Sequence, residues 1–147
     1  MKRLLLLQSA LLLFGTFFAW YTVANDYLRF LNKSGVNPLT TPCFYGAVGF
    51  ILFFTYSVYI YFESKEKRIR HQRVLMVLLV GGTIFGWTNF IIELCSFYIF
   101  KNPTSCSGTS TISPFLTACF YGSVIYLLSL VASIFTFKKL KVKTQKI

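Results

Sequence analysis

The sequence predicts an all-α membrane protein: a four-transmembrane-helix bundle built from two parallel helical-hairpin repeats with pseudo-twofold symmetry. Three observations predict it. The first is composition: 55% hydrophobic, 19% aromatic and 13% charged, with a mean hydropathy of +0.62, where soluble domains carry about 25% charged residues. The second is four apolar stretches, 4–24, 42–62, 74–97 and 114–137, each reaching the roughly 20 residues that cross a ~30 Å hydrocarbon core. The third is repetition. Gly15-Thr16-Phe17-Phe18-Ala19-Trp20 returns as Gly82-Thr83-Ile84-Phe85-Gly86-Trp87, and Pro42-Cys43-Phe44-Tyr45-Gly46 returns as Ala118-Cys119-Phe120-Tyr121-Gly122.

The stretches are apolar all round, so they read as helices that satisfy their own backbone groups in lipid, not as the alternating strands of a barrel. Stretch one, with Lys2-Arg3 in front and Thr22-Val23-Ala24 behind, has the outline of a secretory signal peptide. Its apolar run exceeds the about 7–15 residues of such segments, and its Gly-Thr-x-Phe-x-Trp motif recurs in the third stretch. It is expected to be retained as the first transmembrane helix.

An even number of crossings makes the two hairpins parallel, related by an axis along the membrane normal. The chain divides into repeat one at about 4–62, a link at about 63–73, repeat two at about 74–137 and a basic tail at 138–147. The second motif recurs at a wider offset than the first, which places extra residues in the second repeat's loop, within 100–110. Asn37-Pro38 and Ser113-Pro114 read as an N-cap followed by proline in the first helical turn. Thr41-Pro42 offers a competing start; with the earlier one, Pro42 would bend its helix. The link, with alternating charges from Glu63 to Arg70, reads as a solvated connector in preference to a helical extension, and His71 as a solvated linker histidine.

Of 15 Lys and Arg residues, only Arg29, Lys33 and Lys101 lie at the loop ends of the two hairpins. The positive-inside rule therefore predicts a multi-pass protein of the cell membrane with both termini cytoplasmic. The net charge of +11 is assigned to topology and to anionic lipid headgroups, the expected partners beside the bilayer itself, and not to nucleic acid. A homo-oligomer is compatible with the pattern. No CxxC, HxxxH, P-loop, nucleophile elbow or HExxH is present, so no metal site, hydrolase or phosphoryl transferase is expected.

Candidate functional residues gather at the predicted external rim. Asp26 and Glu93 are matched carboxylates, costly near membrane depth and able to bind a cation or share a proton. Trp20 and Trp87 sit six positions before them, and Tyr45 and Tyr121 begin the returning helices. These six residues form the expected binding set. Cys43, Cys95, Cys106 and Cys119 all fall on the same side, where an oxidising compartment favours disulfides. Three connectivities are open, among them Cys43–Cys119 across the repeats with Cys95–Cys106 closing the longer loop.

In helix order and thiol placement the chain resembles the quinone-linked disulfide-generating proteins of the bacterial inner membrane. Those carry Pro-Cys-x-x-Cys at the start of the second helix; here Pro42-Cys43 is followed by Phe44, Tyr45 and Gly46, with no second cysteine. The leading expectation is a non-enzymatic membrane protein whose external rim binds or passes a small solute or cation, or docks a partner. A thiol–disulfide oxidoreductase using the four cysteines is the alternative, and only there does a cofactor, a quinone, enter. A structural or immunity-type bundle is the third reading.

Overall fold

A computed structural model describes residues 2–32, 37–101, 105 and 112–144. Four helices account for nearly all of them: α1 (Lys2–Leu31), α2 (Pro42–Phe62), α3 (Lys65–Tyr98) and α4 (Ala118–Thr144). Each is long and apolar enough to cross a membrane. Two 3₁₀ turns, Pro38–Thr40 and Pro114–Leu116, precede α2 and α4.

The helices outrun the apolar stretches that predicted them. α1 continues to Leu31, which puts Asp26 and Arg29 inside the helix; Asn25 turns its amide back onto the Tyr21 carbonyl at 3.0 Å and leaves the backbone ladder intact. α3 begins at Lys65, so the link at 63–73 is not a connector of that length but a sharp corner at Glu63 and Ser64. Its physical cause is Arg68. That side chain is 8% exposed and reaches back to the end of α2, where Nε donates to Ile60 O at 3.1 Å, and Nη2 to Tyr61 O at 3.0 Å and Glu63 O at 2.6 Å. Three carbonyls that a helix C-terminus leaves open are thereby satisfied. The Glu63 carboxyl is held below its usual range by the Tyr59 hydroxyl and the Ser64 N–H.

His71 also departs from the expectation of a solvated linker residue. With α3 already helical there, its Nδ1 lies 2.8 Å from the Tyr56 hydroxyl and its ring meets Tyr59 edge-on at 5.4 Å. At the other end of α2, Thr41 is the N-cap residue and Pro42 occupies the first turn, so Pro42 starts the helix and does not kink it. Asn37 caps the 3₁₀ turn instead, accepting from Leu39 N–H at 3.1 Å.

α1 packs along α2 and α3 along α4; α1 also meets α4, and α2 meets α3 over a shorter length. Across the bundle the α2 and α4 backbones approach each other, whereas α1 and α3 meet through side chains, Gln8 with Gln72. The inward residues recur every seventh position, the step of left-handed helix packing. On α1 they are Leu5, Leu12, Ala19 and Asp26; on α3, Gln72, Leu79, Gly86 and Glu93; on α2, Cys43, Phe50 and Ser57; on α4, Cys119, Tyr126 and Ser133. Outward faces carry exposed Phe14, Phe17, Ile84, Leu128 and Phe135, an apolar exterior suited to lipid and not to water.

Part of the interior is polar. Toward the end where α2 joins α3, Gln72 Nε2 donates to Gln8 Oε1 at 2.8 Å and to Ser133 Oγ at 2.9 Å. Gln8 Nε2 reaches Ser57 Oγ at 3.5 Å, and Ser57 Oγ lies 2.9 Å from Ser9 Oγ. Each helix contributes at least one member.

Candidate functional site

The opposite end, where α1 joins α2 and α3 joins α4, is built twice by one local device. After each 3₁₀ turn a buried threonine folds back on the proline that opened it: Thr41 Oγ1 donates to Pro38 O at 2.7 Å, and Thr117 Oγ1 to Pro114 O at 2.7 Å. Proline presets the turn and the threonine hydroxyl closes it. The next helix then starts with Cys43 or Cys119 in its first turn, facing inward.

Between the four helices at this end lies a cavity of about 50 Å³, room for roughly three to five waters. Its lining pairs off along the sequence: Phe18 with Phe85, Ala19 with Gly86, Thr22 with Asn89, Pro42 with Ala118, Cys43 with Cys119, Gly46 with Gly122, and Phe50 with Tyr126. The first three pairs keep the offset of the Gly-Thr-x-Phe-x-Trp motif and the other four that of the Cys-Phe-Tyr-Gly motif; Ser123 alone lacks its counterpart in the wall. Phe50 and Tyr126 stack face to face, with ring centroids 3.9 Å apart and planes 14° from parallel. The Tyr126 hydroxyl donates to the Gly46 carbonyl at 2.8 Å.

Asp26 and Glu93 are buried, at 6% and 4% exposure. Glu93 Oε2 accepts from the Thr117 hydroxyl at 3.1 Å. Asp26 Oδ2 has no hydrogen-bond partner among the described residues, and Arg29, three residues on, is its electrostatic neighbour. Both carboxyls act electrostatically on Cys43, so the acids and that thiol share one neighbourhood beside the cavity. No group of three or more His, Cys, Asp and Glu side chains that could hold a metal ion occurs among the described residues.

The aromatic members of the expected binding set lie elsewhere. Tyr45 and Tyr121 are 59% and 44% exposed. Trp20 meets Phe44 edge-on at 6.3 Å, Trp87 meets Phe90 at 5.8 Å, and neither lines the cavity. Six residues turn a helix by about 600°, which moves each Trp well away from the face of its acid. Trp20, Tyr45 and Tyr121 are exposed, and Trp87 is half-buried.

The cysteines divide. Cys43 and Cys95 carry reduced thiols, while Cys119 is disulfide-bonded. The pairing of Cys43 with Cys119 and of Cys95 with Cys106 is therefore not formed; Cys106 itself lies outside the described residues. Cys95 is exposed because it follows the inward Glu93 by two residues, about 200° around the helix. Alkylating the denatured, unreduced chain is expected to modify two cysteines, and four after reduction. Intact-mass measurement reads the difference directly, and four modifications before reduction would refute the assignment.

Thr22, Asn89, Phe50, Tyr126 and Ser123 complete the site and were not singled out from the sequence. For Phe50 and Tyr126 the signal was the seven-residue step from Cys43 and from Cys119. No protein-family model, curated protein or solved structure matches the chain.

Proposed function

We propose that this chain is a multi-pass membrane protein that arose by internal duplication and binds a small cation, a proton or a monovalent metal ion, at the outer end of the pseudo-twofold axis. The observation that carries the reading is the burial of Asp26 and Glu93 beside a cavity whose walls come from matched residues of both halves. A carboxylate at membrane depth is costly unless a positive charge compensates it; Arg29 stands beside Asp26, and both acids act electrostatically on Cys43 in the cavity wall. The uneven distribution of lysine and arginine supports an orientation with the cavity end external and the basic helix ends on the cytoplasmic leaflet among anionic headgroups.

Thermal unfolding of the purified protein in detergent tests this. Na⁺, K⁺ and Li⁺ are compared with a bulky organic cation at equal ionic strength, and pH is varied separately. A cation at a hundredfold its Kd stabilises by about 2.7 kcal/mol, a rise in Tm of roughly 5–10 °C for a chain of this size. Asp26→Asn and Glu93→Gln together are expected to abolish the dependence. A wild-type Tm indifferent to every ion and to pH, or a dependence that survives both substitutions, overturns the reading in favour of a structural bundle.

One observation favours a second reading, thiol–disulfide exchange: the reduced Cys43 and the disulfide-bonded Cys119 line the same cavity. The Cys43 thiolate would attack Cys119 Sγ, a Cys43–Cys119 disulfide would form, and the former partner sulfur would leave as a thiolate. One disulfide replaces another without net oxidation; oxidising a substrate would require an electron acceptor such as a quinone. A Cys43–Cys119 peptide in digests of mildly reduced membranes supports this reading. Undiminished function in Cys43→Ser sinks it.

A further inference from the structure

Two buried polar regions lie toward the two ends of the bundle, and apolar packing separates them. The outer region is Asp26 and Glu93, next to the cavity, whose mainly apolar wall includes Thr22, Asn89 and Ser123. The inner one is the Gln8–Gln72–Ser57–Ser133 network, which no reading of the sequence singled out. Leu12, Phe50, Leu79 and Tyr126 fill the layer between, all at 3% exposure or less. Seven residues, about 10 Å of helix, separate Phe50 from Ser57 and Tyr126 from Ser133.

The inner network is unfinished. Gln72 and Ser129 are fully buried, yet Gln72 Oε1 and Ser129 Oγ have no hydrogen-bond partner among the described residues. Other hydroxyls on these helices avoid this by bonding back one turn, as Thr136 does to Ala132 O and Ser123 to Cys119 O. A buried amide oxygen or hydroxyl left open is costly, and a water molecule is the group that satisfies both kinds of atom. Metal ions demand more oxygens than these two; Ca²⁺, for example, takes about six to eight. A chain of waters that relays protons needs only such intermittent donors and acceptors.

We propose that the axis is a proton pathway from the outer carboxyls to the inner glutamine–serine network, closed in this conformation by the Phe50–Tyr126 stack. This deepens the cation-binding reading and rests on it for the outer end. The stack is suited to a gate. Its rings are in face-to-face contact, which leaves no space for water between them, as in channels that close at a hydrophobic constriction. It also has a polar handle: the bond from the Tyr126 hydroxyl to Gly46 O holds the ring across the cavity floor. Opening requires only that these rings part.

The test is proton flux into phosphatidylcholine–phosphatidylglycerol vesicles that contain the reconstituted chain and the pH dye pyranine, driven by a valinomycin-clamped potassium gradient. Wild-type flux is expected near that of empty vesicles. Phe50→Ala is expected to raise it about tenfold or more by hydrating the constriction, with co-trapped carboxyfluorescein retained; Leu79→Ser, a milder change in the same layer, raises it as well. Phe50→Leu, which refills the layer, stays at the wild-type rate. Adding Gln72→Leu to Phe50→Ala returns the flux to baseline. Baseline flux in both Phe50→Ala and Leu79→Ser, leakage of carboxyfluorescein alongside protons, or indifference to Gln72→Leu each overturns the pathway. Cation-dependent Tm with no flux in the opened variants defeats the gate and leaves the binding reading standing. Flux that needs Gln72 but not Asp26 or Glu93 keeps the gate and defeats the carboxylates.

Discussion

Gly15→Ala and Gly82→Ala are each expected to destabilise the bundle by about 1–3 kcal/mol, the usual cost of overfilling a packed core. A Cβ on Gly15 would run into the Phe50 ring and reach within 3.0 Å of Ile125 Cγ2. One on Gly82 would lie 2.8 Å from Tyr126 Cε1 and 2.9 Å from Phe53 Cε2. Neither ring can step aside cheaply. Phe50 and Tyr126 are stacked on each other, and the Tyr126 hydroxyl is tied to Gly46 O. The two glycines thus admit the aromatic layer from opposite sides. Gly81 is the control: nothing lies within 4 Å of its Cβ position, so alanine there gains roughly 0.5–1 kcal/mol of helix propensity. Thermal unfolding of the three variants in one detergent measures the contrast. Equal midpoints for Gly15→Ala, Gly82→Ala and the wild type would show that the rings are not held as described.

The four helices were legible because apolar length is a signal carried by every residue in a run. Their ends were not. Lys65 to Arg73 has the composition of a solvated connector, and its alternating charges left a helical extension open; the reach of Arg68 back to Ile60, Tyr61 and Glu63 closes the corner before it. Asp26, Glu93, Cys43 and Cys119 were legible as a group from their matched positions, and they do share the cavity end. Tyr45, Tyr121, Trp20 and Trp87 matched equally well but do not line the cavity. Matching reports which residues correspond, whereas the helical turn of about 100° per residue decides which of them meet. The same angle separates Cys95 from Glu93. Counting back in sevens from the two acids, and forward in sevens from Cys43 and Cys119, reaches one inward column on each helix, Phe50 and Tyr126 included; Gln8, Leu75, Ala47 and Ser129 are buried off those columns.

Corresponding positions of the two sequence copies differ in the polar contacts they make. The offset that aligns Gly15 with Gly82 also sets Leu5 against Gln72 and Gln8 against Leu75. Each half therefore contributes one glutamine, at a different level, and the two amides meet at 2.8 Å instead of opposing each other. Ser57 and Ser133, matched by the offset that aligns Cys43 with Cys119, each receive one of them. The aromatic layer differs by a single hydroxyl, Phe50 against Tyr126, and that hydroxyl makes the bond to Gly46.

Arg68→Ala is expected to lower stability by about 2–4 kcal/mol, since bonds to a charged donor are worth about 1.5–3 kcal/mol each and the freed carbonyls recover part of that from water. The side chain is nearly buried and spends its guanidinium on Ile60, Tyr61 and Glu63 carbonyls at the end of α2. Its positive charge also faces the negative end of that helix. Arg68→Lys keeps the charge but replaces a planar fork by a single ammonium group, and is expected to recover less than half of the loss. Arg70→Ala, two residues on and exposed, should stay within about 0.5 kcal/mol of wild type. Trypsin adds a local readout, because Lys65 and Lys67 flank the corner that Arg68 closes. Faster cleavage there in Arg68→Ala, with Arg70→Ala cut at the wild-type rate, ties the effect to the α2–α3 corner. Equal cleavage and equal Tm in the two variants would mean that the corner is held by α3 packing alone.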